Sequence, residues 1–143
     1  MPRLLVPMDQ NRDHIDRLVS GIGDLHYDPS ETRLTVLNVF EEFEVHGEWS
    51  DIESDEFYDA EELPDVITDA AGRLSESGFT VDVHSRHGDP AEEIIALAAS
   101  EDVDAVVMVA RQRSAVGKVL LGSVTQGVLL GTDRPVIVIP HDE

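Results

Sequence analysis

No cysteine occurs in the 143 residues, which removes disulfides, thiolate metal sites and cysteine nucleophiles together. The redox compartment is left unread. Basic side chains are scarce: 10 Lys and Arg stand against 30 Asp and Glu, a formal net charge of −20, and Lys118 is the single lysine. A chain this negative repels nucleic acid and anionic membrane surfaces, so neither is expected as a partner. Long apolar runs are also missing, and no stretch approaches the length needed to cross a bilayer. Met1-Pro2-Arg3 leads straight into a strand-like "LLVP" without the layout of a secretory signal, so a cytoplasmic location is expected.

What is present in excess is acid. Self-repulsion at this charge favours an expanded chain unless salt screens it, and at molar salt the Debye length is about 3 Å. Two readings fit: adaptation to a very saline cytoplasm, as in a halophile, or an ordinary acidic protein with a well-solvated face. With 41% hydrophobic side chains, the length suits one compact domain over residues 1–143 with a full core.

Four short runs are nearly all apolar: Leu4–Val6, Leu34–Phe40, Ala105–Ala110 and Val136–Ile139. Runs this brief and β-branched read as strands buried on both faces, the mark of a parallel sheet. A fifth, "FTVDVHSR" from Phe79, alternates instead and suits a sheet edge. Between them apolar residues recur at helical spacing: Ile15, Leu18, Val19 and Ile22 after a possible Asn11 cap, then Leu63, Val66, Ile67, Ala70 and Leu74 before Gly78. In "GDPAEEIIALAA" Asp89 caps, Pro90 fits the first turn and Glu92 completes a capping box. A last short helix is expected from Gly122-Ser123 to Gly131. The alternating order implies a right-handed, doubly wound α/β sheet with helices on both faces.

Residues 41–65 break the pattern, with 12 acids, no Lys or Arg, and Trp49, Phe57 and Tyr58 embedded. This is read as a long connection after the second strand: either a solvated acidic loop, or a lid that offers Trp49 or Phe57 to a ligand.

From Ala105 to Thr132 the acids vanish, although 28 residues at the overall 30 in 143 would hold about six. The same window carries Arg111, Arg113 and Lys118. A positive island between a buried strand and a helix start is a candidate anion site, because helix N-termini present unpaired N–H groups; Ser123, Val124 and Thr125 are placed to use them. Asp9, directly after the first strand, would face the same crevice. The alternative is a segment without acids because it is buried or lies between subunits. Gly117-Lys118 within "SAVGKVLLGS" looks like part of a P-loop, but the earlier glycine position is Gln112 and the hydroxyl position is Val119. That pattern fails.

"LLVPMD" at the start, "GDPAEEI" in the middle and "LLGSVTQGVLLGTDRPVIVI" at the end resemble the universal stress protein family over the whole chain. The resemblance implies a five-stranded parallel sheet of order 3-2-1-4-5, a homodimer, and either an ATP-binding or a non-binding member. The ATP-binding members carry Gly-x-x-Gly, nine residues, then Gly-Ser/Thr. Gly122-Ser123 match the last pair, whereas Val109 and Gln112 stand at the first two glycines. A Cβ at both positions narrows the backbone approach that glycine allows.

By the same resemblance Asp9 and the backbone of Val39 would meet adenine and Met108 would line the pocket, with Pro7, Met8, Val109 and Gln112 also counted to the nucleotide site. Gly122, Ser123 and Val124 would meet phosphate. Arg111, Arg113 and Lys118 offer side-chain charge in place of the missing backbone contacts, Arg with a bidentate fork. ATP, with Mg²⁺ only in company of the nucleotide, is the implied ligand.

Catalysis is not expected, since the acid-free window supplies no base beside a phosphate. No nucleophile elbow surrounds Ser123. His84 and His87, three apart on a strand, point to opposite faces, so no metal site is expected. The last strand, Val136, Ile137, Val138 and Ile139, would be an apolar edge that a second copy covers across a two-fold axis. Two functions stay open: a dimeric stress-response or regulatory protein that holds ATP or a related nucleotide without efficient hydrolysis, and an interaction protein of the same fold that works through its dimer surface.

Overall fold

A computed structural model describes residues 1–40, 63–113, 118–119 and 121–142, with backbone alone for 111–113, 118–119 and 142. Five long strands, β1 (Arg3–Pro7), β2 (Arg33–Phe40), β3 (Thr80–His87), β4 (Ala105–Arg113) and β5 (Val136–Asp142), alternate with helices α1 (Arg12–Asp24), α2 (Asp65–Glu76), α3 (Pro90–Ser100) and α4 (Ser123–Gly131). The long strands are all parallel, in the order β3-β2-β1-β4-β5. A two-residue return strand, Lys118–Val119, pairs antiparallel with the end of β4, a feature that no sequence signal announced. The expected acidic connection falls mostly on 41–62, outside the described residues.

The period-2 geometry of a strand explains the two-sided core. Leu4 and Val6 of β1, with Leu34 and Val36 of β2, face one layer, where Ile15, Leu18 and Ile22 of α1 and Ile67, Ala70 and Leu74 of α2 cover them. Leu5 and Leu37 face the other, beneath Ile94, Leu97 and Ala98 of α3 and Val128 of α4. The alternating strand β3 lies at one edge and is only half-buried along most of its length.

Three helices start as their cap residues dictate. Asn11 accepts from His14 N, 3.1 Å, and Asp89 accepts from Glu92 N, 3.0 Å, with Pro90 in the first turn. Gly122 opens α4 with extended backbone. Helix α3 ends in a Schellman arrangement, Val103 N to Ala98 O and Asp102 N to Ala99 O, both 3.2 Å, with Asp102 at a left-handed φ of 52°. Arg134 donates to Asp102 and holds its carboxyl below the usual range. That tie is present above ordinary carboxylate titration and is lost as pH falls through the lowered value.

His26 also sits at positive φ, 64°, just past α1. A side chain is strained there, so His26→Gly is expected to raise the unfolding free energy by about 0.5–1 kcal/mol in a urea titration.

Candidate functional site

Strand order reverses at β1: the chain steps from β1 outward to β2 and β3, then crosses back to β4 and β5. Connections leaving the carboxyl ends of β1 and β4 therefore run to opposite faces and open a crevice between them. A cavity of about 530 Å³ occupies this place. Pro7, Met8, Asp9 and Gln10 line it from the end of β1, Leu37, Asn38, Val39 and Phe40 from β2, and Met108 and Val109 from β4. His14, Ile15 and Leu18 contribute from α1, Pro90 and Ile94 from α3, and Val124 and Thr125 from α4. The size is that of a small-molecule site, with an apolar body and a few polar groups at its rim.

Asp9 is held rather than loose. Its Oδ1 accepts from the backbone N–H of Asn11 at 3.0 Å, and its Oδ2 lies 2.8 Å from His14 Nδ1. The His14 side chain is 10% exposed and that of Asp9 57%, so a sheltered ring grips a carboxylate that still faces solvent and cavity. Beyond it, the His141 ring meets His14 edge-on with centroids 5.3 Å apart.

Asn38, 2% exposed, pins the start of this loop to the sheet: Nδ2 donates to Met8 O at 3.1 Å, beside the backbone bond Met8 N to Leu37 O at 2.8 Å. Its Oδ1 is a buried acceptor with no hydrogen-bond partner among the described residues.

The opposite wall is set by small residues. A Cβ on Gly127 of α4 would lie 2.9 Å from the Ala91 Cβ of α3, closer than real side chains approach. The two helices thus bring Val124 and Thr125 up to Pro90 and Ile94. Gly127→Val is expected to push α4 away and cost about 1–3 kcal/mol, read from urea unfolding.

Of the residues expected from sequence, Pro7, Met8, Asp9, Val39, Met108, Val109 and Val124 do line one cavity. Gly122 and Ser123 are exposed at the tip of α4, next to the cavity but outside its lining. Arg111, Gln112 and Arg113 continue β4, where Arg111 pairs with His141 and Gln112 with Asp142. Their side chains, with that of Lys118, lie outside the described ones, and so does the expected cluster of positive charge. Strand β5 pairs with β4, and among the described residues no strand lies along its other side. Val136, Ile137 and Val138 are half-buried, while Ile139 packs inward against Gly21 of α1.

Among the lining residues that sequence reasoning missed are His14, Asn38, Pro90 and Ile94. For two of them a signal existed. His14 falls four residues before Leu18, on the buried face of α1, and Asn38 is the one amide within an apolar strand. Among the described residues no group of three or more His, Cys, Asp or Glu is placed to hold a metal. No helix among them is long and apolar enough to cross a membrane.

Residues 1–140 match the profile of the universal stress protein family. A universal stress protein of Mycolicibacterium smegmatis is 36% identical over 77 residues, covering 52% of this chain and 59% of that protein. One from Methanocaldococcus jannaschii is 33% identical over 79 residues, covering 55% of this chain and 49% of that protein. The matched stretch thus spans roughly half of these curated relatives. The solved structure of the Methanocaldococcus protein superposes with a TM-score of 0.80 at 24% identity, over 99% of this chain and 97% of that one.

More distant structures of the same fold were solved with nucleotides. One universal stress protein is in complex with cAMP (TM-score 0.64, 15% identity, covering 97% of this chain and 96% of that one). Another, from Archaeoglobus fulgidus, is in complex with dAMP (TM-score 0.58, 18% identity, 97% of each chain).

Proposed function

The chain belongs to the universal stress protein family, and on that premise we propose that it is a dimeric stress-response protein that holds a purine nucleotide without efficient hydrolysis. The observation that carries this reading is the cavity at the strand-order reversal. Met8, Val39, Met108 and Val109 give it apolar walls, and the fixed carboxylate of Asp9 stands at its rim. Apolar walls suit the faces of a heterocycle, and an acceptor-only carboxylate suits its N–H edge. The nearby N-terminal turn of α4, at Gly122, Ser123 and Val124, offers backbone N–H groups to phosphate. Fold neighbours that were solved with cAMP and dAMP support a nucleotide as the class of ligand.

ATP with Mg²⁺ is the ligand to try first. In this reading the protein is a single domain in a saline cytoplasm, away from nucleic acid and membrane, and pairs with a second copy along the outer edge of β5. It is not an enzyme. A second reading rests on the resemblance: Val109 and Gln112 stand where the ATP-binding members carry glycines, and a residue with a β-carbon permits less close backbone approach than glycine. On that reading the fold has lost its nucleotide and acts through the dimer surface.

Calorimetry with ATP and Mg²⁺ in molar KCl separates the two. Binding in the micromolar range is expected, weakened at least about tenfold by Asp9→Ala. No heat at millimolar ATP supports the interaction protein, and released phosphate would reveal an enzyme.

A further inference from the structure

We propose that Met8 and Met108 form a reversible oxidation site inside the cavity, where a small peroxide turns apolar wall into polar wall and spoils the hollow for apolar guests. The inference goes beyond the nucleotide reading above; only its last step, the loss of ligand, rests on that reading. The chain holds three methionines and no cysteine, so no thiol competes for a two-electron oxidant. Met1 is 72% exposed. The other two both line the same cavity, Met8 just past the end of β1 and Met108 on the adjacent strand β4. They belong to opposite layers of the core, Met8 to that of Ile15 and Leu18, Met108 to that of Leu37 and Ile94. At 5% and 6% exposure both are shielded from bulk solvent. The hollow between the layers, about 530 Å³, is many times the roughly 30 Å³ share of one water, so a molecule as small as hydrogen peroxide has room to enter.

The chemistry needs no further reagent. A thioether lone pair attacks one peroxide oxygen, the O–O bond breaks, an S–O bond forms and water leaves; sulfur is oxidised by two electrons and the peroxide reduced by two. The product is a sulfoxide, whose polar oxygen accepts hydrogen bonds. Burying such a group among apolar neighbours is unfavourable unless a donor or water follows it in. Either modified side chain therefore leaves a wall that no longer matches an apolar face. Sulfoxide reductases return the group to the thioether, which makes the change reversible.

The test is treatment of the whole chain with hydrogen peroxide in molar KCl, each methionine being followed by peptide mass spectrometry. Met1 is the internal standard for open access. Met8 and Met108 should oxidise within about 100-fold of its rate, whereas residues reached only through global unfolding lag by about 10³-fold or more. The oxidised protein should melt about 5 °C lower or more, and a sulfoxide reductase should restore the melt. A double variant, Met8→Leu with Met108→Leu, conserves volume and should melt alike before and after peroxide. The two single variants carry the comparison if the double one folds poorly.

A rate at either residue slower than the 100-fold limit, or a melt that peroxide leaves unchanged, overturns the proposal. An equal fall in the double variant also overturns it, because the damage then lies elsewhere. Calorimetry with ATP and Mg²⁺ reads the last step: oxidation should weaken binding by about tenfold or more in the wild type and leave the double variant unchanged. Unchanged ATP affinity in the oxidised wild type overturns the loss of ligand. Absence of ATP binding before any treatment overturns the nucleotide reading and not the oxidation site, whose rates and melts are measured without ligand.

Discussion

Raising KCl from about 0.01 M to about 1 M will lift the melting temperature by more than about 10 °C, as the Debye length falls from roughly 30 Å to 3 Å. The chain carries −20 charges. Folding gathers them from a coil with a radius of roughly 40 Å into a body of roughly 15 Å, so repulsion penalises the folded state more than the unfolded one. Ion pairs act the other way, since salt weakens them. Those described are few and exposed, such as Arg73 with Asp16 at 2.8 Å and Arg33 with Asp82 at 3.3 Å. Exposed pairs contribute about 0–1 kcal/mol each, too little to reverse the effect of twenty uncompensated charges.

Melts followed by circular dichroism across a KCl series check this, with most of the rise expected below about 0.5 M, where screening changes fastest. A rise confined to higher concentration would instead signal salting-out of apolar surface. A flat curve would mean that the acids form an ordinary solvated face and that salt adaptation is the wrong reading.

The second large effect comes from the core. Leu5→Ala will lower the unfolding free energy by about 3 kcal/mol, within the 2–5 kcal/mol range of buried leucine truncations. Leu5 is 0% exposed and sits on β1, bonded on one side to β2 and on the other to β4, beneath Ile94, Leu97 and Ala98. A strand tied on both edges cannot sag into the space that truncation leaves, so the cavity persists and its cost is added to the lost transfer energy. For a protein of this size the melting temperature should fall by about 10 °C. Leu130→Ala is the internal control: the residue is 88% exposed on α4, and surface changes of this kind stay within about 0.5 kcal/mol. A loss below about 1 kcal/mol at Leu5 would mean that the interior is able to close around the gap.

The sheet was legible because burial on both faces leaves an unmistakable trace: "LTVLNVF" and "AVVMVA" have no polar face to show. Asp89 and Asn11 announced their helices because a cap is a local device, complete within four residues. The strand order came through resemblance, since periodicity does not say which strands are neighbours. At the site, Met8 and Val39 were reached in the same way, and Asp9 was reached also from its place directly after the first strand, facing the crevice. His14 was not, because its importance depends on a fold-specific meeting with Asp9 that spacing alone does not reveal. Asn38 was passed over inside an apolar run, although an amide at 2% exposure has to bond to something. The return strand Lys118–Val119 escaped because two residues are too short for any pattern to register.

The near-touch of Gly127 and Ala91 leaves no slack between the two helices that carry Pro90, Ile94, Val124 and Thr125. That bank of the hollow shifts as one body or stays still. A guest that needs more room must be admitted from the far bank, where the first turn of α1 carries the histidine that keeps Asp9 in place.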